Sequence, residues 1–485
     1  MKTFLKICLL CICILSLGCS RQNEPINAQE RLPTIFPDYT GVIIPPNIAP
    51  LNFMVIEEGV KAVRLICIPK NGKSLSISSK QKIRFPERKW KKMLQENKNE
   101  SLTIEISVKK AGEWVKFQPF DIHIAPDPID NHVVYRLIEP GYVIWNKMGI
   151  YQRCLESFDE RPIITNNLTE NNCMNCHSFC RNDPKTMLFH MRSKLPGTFI
   201  WQNDRLRKID IGAEQTVSRG VYPSWHPSGR FVAFSTNVTR QNFHAIKDKK
   251  VEVWDAKSDI ILLDLEENKL IIDKMLMSKD HFETFPAWSP DGKFLYFCSA
   301  DSLPMPDEYD RIKYNLLGIT FDPVAKSFGD KIDTVVSVRK TGKSVSFPRV
   351  SPDGKYLLFT QSDYGNFSIW HKEADLYMLH IETGEIRDLP EVNSNDTESY
   401  HTWSSNSRWI VFSSRRTDGL YTRLYFSWVD HDGKPHKPFL LPQKDPEHNI
   451  RLMKSYNIPE LISGSVALSP HRIAKTARQP EERLH

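Results

Sequence analysis

A repeated segment in the second half of the chain constrains the fold more than any other feature of the sequence. Each copy starts with an aromatic residue, passes through a turn rich in Ser, Pro, Asp and Gly, and ends in a strand that is apolar at nearly every position. Such a strand is expected to be buried on both faces. The copies are YPSWHPSGRFVAFSTN from Tyr222, FPAWSPDGKFLYFCSA from Phe285, FPRVSPDGKYLLFTQS from Phe347 and YHTWSSNSRWIVFSSR from Tyr400.

The spacing of these copies predicts a β-propeller. Successive copies begin 63, 62 and 53 residues apart, which leaves room for a four-stranded unit and surface insertions. A degenerate copy is expected in residues 187–211, and the C-terminal segment could close the ring. We therefore expect an all-β chain with a propeller of five or six blades over residues 187–465.

The SPDGK turn and the Trp before it resemble the propeller repeats of the TolB family, which are also found in prolyl-oligopeptidase-type proteins. The resemblance covers residues 187–460 and implies binding and scaffolding rather than catalysis. A peptidase would need a hydrolase domain with a Gly-x-Ser-x-Gly turn. The sequence contains no such pentapeptide, so we do not expect a peptidase, and an electron carrier or binding protein is favoured over an enzyme.

The region before the propeller predicts a second all-β unit. Residues 35–150 contain short alternating runs such as SLTIEISVKK, separated by prolines, and this pattern is typical of a small β-sandwich. Only ERKWKKMLQENKN, from Glu87, has the pattern of a helix. Residues 151–186 are expected to be a connector, and residues 466–485 a polar C-terminal tail.

The N-terminus predicts export and lipid anchoring in a bacterial cell envelope. Residues 1–19 have Lys2 and Lys6, an apolar run too short to span a bilayer, and Gly18-Cys19 at the cleavage point. The end of this segment resembles a lipobox, which implies lipidation of Cys19 and attachment to the outer membrane, on its periplasmic or surface side. Residues 20–34 would be a polar tether. An ordinary signal peptide is the alternative.

The charge balance argues against nucleic acid as a partner. The chain has 65 Lys and Arg against 58 Asp and Glu, and the small excess is spread along the sequence. The expected partners are the membrane, through the anchor, and a redox partner or an envelope protein or glycan on the propeller face.

A cluster of thiols and an imidazole in NNCMNCHSFC is the strongest chemical signal in the sequence. Cys173, Cys176 and His177 match Cys-x-x-Cys-His, the attachment motif of c-type cytochromes. The resemblance implies that both cysteines hold haem c through thioether bonds and that His177 is the proximal iron ligand. His190, Met191 and Met187, just downstream, are candidate distal ligands, and an open sixth site is the alternative.

A disulfide or a zinc site would also account for this cluster. A disulfide is natural outside the cytoplasm: Cys173 could pair with Cys176, either of these could pair with Cys180 or Cys154, or Cys154 could pair with Cys180. Zinc could use the three cysteines 173, 176 and 180 together with His177 or His190. An iron–sulfur cluster is disfavoured, because it generally needs four cysteines and assembly before export.

These patterns lead to two hypotheses about function. The first is a cell-envelope lipoprotein with covalent haem that serves electron transfer or haem-dependent binding. The second is a non-redox scaffold that binds a protein or glycan and uses its cysteines in disulfides or a zinc site.

Overall fold

The structure, a computed structural model, describes residues 26–139, 147–244 and 251–484. The predicted signal peptide and the lipidation site Cys19 lie outside these residues. Strands dominate throughout, so the predicted all-β class is confirmed. Among the described residues, every helix is too short or too polar to cross a bilayer.

The N-terminal part of the chain forms two sheets and one helix. A seven-stranded sheet has the order β1-β9-β8-β10-β3, with β5 on β8 and β6 on β5, and a three-stranded sheet has the order β2-β4-β7. The elements are β1 (Ile26–Ala28), β2 (Ile35–Phe36), β3 (Ile43–Ile44), β4 (Phe53–Val55), β5 (Val60–Pro69), β6 (Leu75–Ser79), β7 (Lys82–Ile83), α1 (Glu87–Glu96), β8 (Ser101–Lys110), β9 (Glu113–Lys116) and β10 (Phe120–Ile124).

Sequence periodicity explains these N-terminal elements. Along β8, the alternation of apolar and polar residues buries Leu102, Ile104 and Ile106 on one face of the sheet. The helix α1 lies where the sequence predicts it and buries Trp90 and Met93. These side chains join one core.

The rest of the chain forms six antiparallel sheets of four strands each. Their strands are β11 (His132–Ile138), β12 (Gly149–Cys154) and β13 (Glu160–Thr165) with β34 (Ser455–Ile462); β14 (Cys173–Phe179), β15 (Met187–Arg192), β16 (Gly197–Gln202) and β17 (Arg205–Ile209); β18 (Gly220–Trp225), β19 (Phe231–Phe243), β20 (Val251–Asp264) and β21 (Lys269–Ile271); β22 (His281–Trp288), β23 (Phe294–Asp301), β24 (Asn315–Asp322) and β25 (Ser327–Val336); β26 (Ser344–Val350), β27 (Tyr356–Ser362), β28 (Asp375–His380) and β29 (Ile386–Asp388); β30 (Glu398–Trp403), β31 (Trp409–Ser414), β32 (Arg423–Trp428) and β33 (Phe439–Leu440).

The six sheets are arranged in a ring. One edge strand of each sheet contacts the corresponding strand of the next sheet, in the cyclic order β34, β14, β18, β22, β26, β30 and back to β34. We call these six the inner strands. Radial sheets around a common axis are the arrangement of a β-propeller.

The closure of the ring corrects the predicted boundaries of the sandwich (35–150) and of the connector (151–186). The last strand, β34, pairs antiparallel with β11, so the two ends of the ring share one sheet. Strands β11 to β13 lie in residues that the sequence assigned to the sandwich and the connector. The apolar run HVVYRLI forms β11, and it pairs with β34 rather than with a strand of the N-terminal sheets. The predicted connector 151–186 is therefore wrong: it holds strand β13, and residues 173–179 form the inner strand β14.

The turns after the inner strands have the predicted chemistry. Gly292 and Gly354 have φ of +73° and +74°, the left-handed conformation that glycine adopts readily. Ser289 and Ser351 donate to the aspartates of these turns, at 2.6 Å in each case. In SSNSR, Ser407 adopts φ +60° at the equivalent position, so this divergent copy keeps the same turn.

The N-terminal unit packs against the outside of the sheet β30–β33. Trp409 is fully buried, and its indole nitrogen donates to the carbonyl oxygen of Asp127 at 3.1 Å. Ser405 donates to Asp130 through both its amide and its hydroxyl. Because the apolar residues of both parts belong to one core, the N-terminal unit and the ring share a continuous interior.

The C-terminal residues are not the predicted polar tail. A short helix follows β34 and buries Ile473 and Ala477 against β13 and β17. Lys208 donates to the carbonyl oxygen of Ala477 at 2.9 Å, which secures the end of this helix. The helices after α1 are α2 (Val338–Thr341), α3 (His448–Arg451) and α4 (Pro470–Ala477), and two 3-10 turns span Asn166–Leu168 and Ser368–Trp370.

Candidate functional site

Each inner strand has a β-bulge at the equivalent position, and the six bulges lie around the axis of the ring. One residue in each strand has a positive φ, between 47° and 52°, and it lies where the register shifts against the next strand. Bulges re-aim side chains and are common at functional sites. The six residues are Cys176, Tyr222, Phe285, Phe347, Tyr400 and Ile458.

These six residues, which we call the waist, narrow the axial channel. The rings of Tyr222, Phe285, Phe347 and Tyr400 follow one another with centroid distances of 4.7, 4.1 and 4.7 Å. The cavity at the waist has a volume of about 30 Å³. That volume holds about two water molecules.

The waist gives Cys176 and His177 a structural role. Each bulge residue is followed by Pro223, Pro286, Pro348 or Pro459 in four strands, and by His401 in a fifth. In β14 the same two positions are Cys176 and His177. CHSF is thus the counterpart of YPSW, FPAW, FPRV, YHTW and IPEL, and Cys180 occupies the turn position of Ser289 and its equivalents.

His177 is buried among backbone groups rather than aimed at a cofactor space. Its side chain is 1% exposed, and within the described residues neither ring nitrogen makes a hydrogen bond of ordinary geometry. Burial, assisted by the charge of Arg136, lowers the pKa of His177 to about 3, although backbone groups of Val134 and Ile458 act in the opposite direction. The imidazole is therefore neutral.

The two cysteines of the motif lie at different levels of the channel. Cys173 is at the start of β14, and Cys176 is at the waist. Three residues along a strand span roughly 10 Å, whereas a disulfide needs Cα atoms about 4.4–6.8 Å apart. All six cysteines in the described residues have free thiols, so the structure pairs neither Cys173 with Cys176 nor Cys154 with Cys180.

The candidate distal ligands lie in the second strand of the same sheet. Met187 and Met191 face the core shared with β13 and α4, and His190 faces the opposite side, toward Phe234. His190 shares a hydrogen bond with Thr198 at 2.9 Å, and burial lowers its pKa to about 3. The register pairs His190 with Asn175, not with His177.

The described residues do not fit a haem or the predicted zinc site. Cys173 and Cys176 both line a cavity of about 290 Å³, but His177 does not line it: its imidazole is buried at the waist, which has space for only about two waters. For zinc, no group of three or more His, Cys, Asp or Glu side chains in the described ranges is placed to hold a metal ion.

Two cavities flank the waist, one at each end of the channel. The turn-side mouth lies where the inner strands end and has a volume of about 530 Å³. The opposite cavity lies where the inner strands begin and has a volume of about 290 Å³. We call the second cavity the arginine mouth, because Arg136, Arg192 and Arg415 line it.

One carboxyl group at the turn-side mouth has a shifted pKa. Glu460 follows the waist in β34 and accepts a hydrogen bond from the amide of Phe179 at 2.9 Å. Burial raises the pKa of Glu460 to about 7, although Arg349 and hydrogen bonds act in the opposite direction. Arg349 lines the same channel, so a positive and a negative charge face this cavity.

The arginine mouth holds the least compensated positive charge near the axis. The guanidinium of Arg415 is largely buried and lies 4.1 Å from the ring centroid of Trp370. Burial lowers the pKa of Arg415 to about 10, which leaves it protonated at neutral pH. Arg136 donates to the carbonyl oxygen of Met174 at 3.1 Å.

Sequence reasoning missed these channel residues, although part of the signal was present. Matching CHSF and IPEL to the four repeats would have identified the waist and the sixth sheet. The arginines of the mouth follow no motif, because they come from β11, β15 and the segment after β31. Only the closed ring brings them together.

Comparison with known proteins establishes no family for this chain. No protein-family model matches it, and no curated protein matches it. Solved structures of hydrolase and lactonase types match with low scores. The Porphyromonas gingivalis dipeptidyl peptidase 4 has 10% identity and a TM-score of 0.33, with 62% of this chain and 46% of that chain covered.

Two further matches are equally distant. The tricorn protease has 11% identity and a TM-score of 0.32, with 86% of this chain and 44% of that chain covered. A putative 6-phosphogluconolactonase from Bacteroides fragilis has 11% identity and a TM-score of 0.34, with 80% and 98% covered. The chain spans less than half the length of the peptidases, and similarity at this level does not establish a shared activity.

Proposed function

We propose that this protein is a non-enzymatic binding scaffold of the bacterial cell envelope, anchored through Cys19, with its ligand sites at the two mouths of the channel. In this proposal the six four-stranded sheets are six blades of a TolB-like propeller. The two N-terminal sheets form the sandwich that joins the propeller to its anchor.

The observation that carries the proposal is the shape of the channel. A waist of about 30 Å³ separates cavities of about 530 and 290 Å³, so small molecules can enter either end without passing through. Concave sites with a few polar groups are typical of ligand binding. The partly buried Glu460 and the buried Arg415 supply such groups, one at each mouth.

Covalent haem remains a prediction of the sequence motif, and the geometry does not favour it. Cys176 and His177 already have a role in the waist, and the candidate distal ligands pack in β15. Ligation of haem iron by His177 would require this buried side chain to leave its place at the waist. We therefore propose the scaffold function ahead of the cytochrome function.

Hydrogen–deuterium exchange of the full-length protein in detergent tests this proposal. Soluble glycans released from the bacterial envelope should slow exchange at one mouth, in residues 173–175 and 455–457 or in residues 178–182 and 403–407. The outer strand β25 serves as the internal control, because it lies at the far edge of its sheet. Unchanged exchange at both mouths would contradict the proposal.

A further inference from the structure

The arginine mouth contains three guanidinium groups without an ionic partner. Among the described residues, no carboxylate lies within salt-bridge distance of Arg136, Arg192 or Arg415. Of the residues that the structure describes, Glu139 is the one acidic residue that lines the cavity, and it forms no ion pair with any of them. The cavity therefore has a net positive charge.

Two of these arginines also have unpartnered donors. Within the described ranges the Nε atom of Arg415 is buried without an acceptor, and this residue is more than nine-tenths buried. The Nε atom of Arg136 is likewise buried without an acceptor. Buried donors are normally satisfied, so these two atoms indicate a missing acceptor.

The same cavity presents unpartnered acceptors. The side-chain oxygens of Asn175 and Asn457 and one carboxylate oxygen of Glu139 are buried and receive no hydrogen bond in the described part of the chain. All three residues line the arginine mouth. A ligand that satisfies them must carry hydroxyl or amine hydrogens in addition to an anionic group.

The size of the cavity limits the ligand. Its volume of about 290 Å³ is at the small end of ligand pockets, which range from about 300 to 1,000 Å³. The waist closes its inner end, and Trp370 forms part of its wall with one ring face already covered by Arg415. One monosaccharide unit matches this space.

We infer that the arginine mouth binds a hydroxylated anion of monosaccharide size, either a sugar carboxylate or a sugar phosphate, alone or at the end of a glycan. Arg415, Arg136 and Arg192 would bind the anionic group, because guanidinium groups match carboxylate and phosphate oxygens in pairs. Asn175, Asn457 and Glu139 would accept hydrogen bonds from the sugar hydroxyls. The inference rests on the proposed binding function and names the ligand class of one mouth.

Calorimetric titration of the full-length protein in detergent tests this inference. The probes are glucuronate, glucose 6-phosphate, inorganic phosphate and glucose, each up to about 10 mM, so that affinities of millimolar or better are seen. We expect glucuronate or glucose 6-phosphate to bind at least about tenfold more tightly than both phosphate and glucose. Which of the two binds identifies the anionic group as a carboxylate or a phosphate.

Three variants locate the binding. Arg415→Gln and the exposed Arg192→Gln should each weaken binding about tenfold or more, the range expected for one charge-assisted hydrogen bond. Arg88→Gln, an exposed arginine on α1, is the matched control and should leave binding unchanged. If Arg415→Gln does not fold, Arg192→Gln decides, because an exposed side chain is not needed for the core.

Three results would overturn the inference: no binding of either acidic sugar, equal binding of glucose or phosphate, or binding that Arg192→Gln leaves intact. These results are distinct from failure of the proposed function. Exchange protection confined to residues 178–182 and 403–407 would keep the scaffold function and reject this ligand at the arginine mouth.

Discussion

Cys176 and His177 fit an attachment motif in the sequence and a structural repeat in the ring. The motif rests on the spacing of three residues in one segment. The repeat rests on six segments whose bulge residue has the same backbone conformation. Because the repeat also accounts for Cys180 and Phe179, only Cys173 is left outside it.

The repeat predicts that His177→Pro is tolerated. Proline occupies this position in four of the inner strands, and the bulge leaves residue 177 outside the β14–β15 hydrogen-bond register. We expect the free energy of unfolding to change by less than about 1 kcal/mol, the size of an ordinary substitution away from special sites. Thermal unfolding followed by circular dichroism measures this change.

His190→Pro is the matched control for that experiment. His190 is also a buried, neutral histidine, but it lies in the middle of β15, between β14 and β16. Proline there removes a ladder hydrogen bond and should cost about 3 kcal/mol or more. Equal destabilisation by the two variants would contradict the structural role of the waist.

The contacts of the buried His371 with two glutamates predict that the stability of the protein depends on pH. His371, in the segment between β27 and β28, lies between Glu252 of β20, at 3.5 Å, and Glu373, at 3.3 Å, and so links two sheets that are separated in the ring by the sheet β22–β25. Burial disfavours the charged imidazole, but the two carboxylates outweigh burial and raise the pKa of His371 to about 9. Its stabilising charge is thus fully present below about pH 6.5 and is lost as the pH rises through 9.

His371→Gln should remove part of this pH dependence. Between pH 6.5 and 9 the wild-type protein should lose up to about 1.4 kcal/mol of stability per pH unit through this group, and the variant should lack that contribution. Denaturant unfolding of both proteins at several pH values measures the difference. Parallel stability curves over this range would contradict the prediction.

Closure of the ring by β34 leads to a prediction about truncation. A chain that ends at Lys454 lacks the inner strand of the first sheet and exposes the edges of β11, β14 and β30. Exposed edges of this kind favour aggregation, so we expect no cooperative unfolding. A chain that ends at Ser469 keeps β34 and loses α4 and the residues after it, and it should unfold cooperatively at a lower temperature.

A comparison of individual strands and turns shows which parts of the fold could be predicted from the sequence. Turn residues such as Asp291-Gly292 and the apolar strands after them carry local signals, so the repeats and the turns were predictable. The pairing of β11 with β34 joins residues more than 300 positions apart, and no local pattern encodes it. For the same reason the arginine mouth was not predictable, whereas the waist was hidden because two of its six residues, Cys176 and Ile458, are not aromatic.

At the scale of the whole molecule, the chain forms a closed ring with two separate mouths. The N-terminal unit covers the sheet β30–β33 and shares a core with it, so the ring should move as one body with the part of the chain nearest the proposed anchor. A scaffold of this kind would present both mouths to ligands in the envelope.

The most direct test of the central claim is an absorption spectrum. The protein would be matured in a periplasm that has cytochrome c assembly machinery, then measured oxidised, reduced and as a pyridine haemochrome, beside Cys176→Ala. We expect no c-type band in either protein, because Cys176 is a waist residue and His177 is buried beside it. A band that survives denaturation and disappears in Cys176→Ala would contradict this claim.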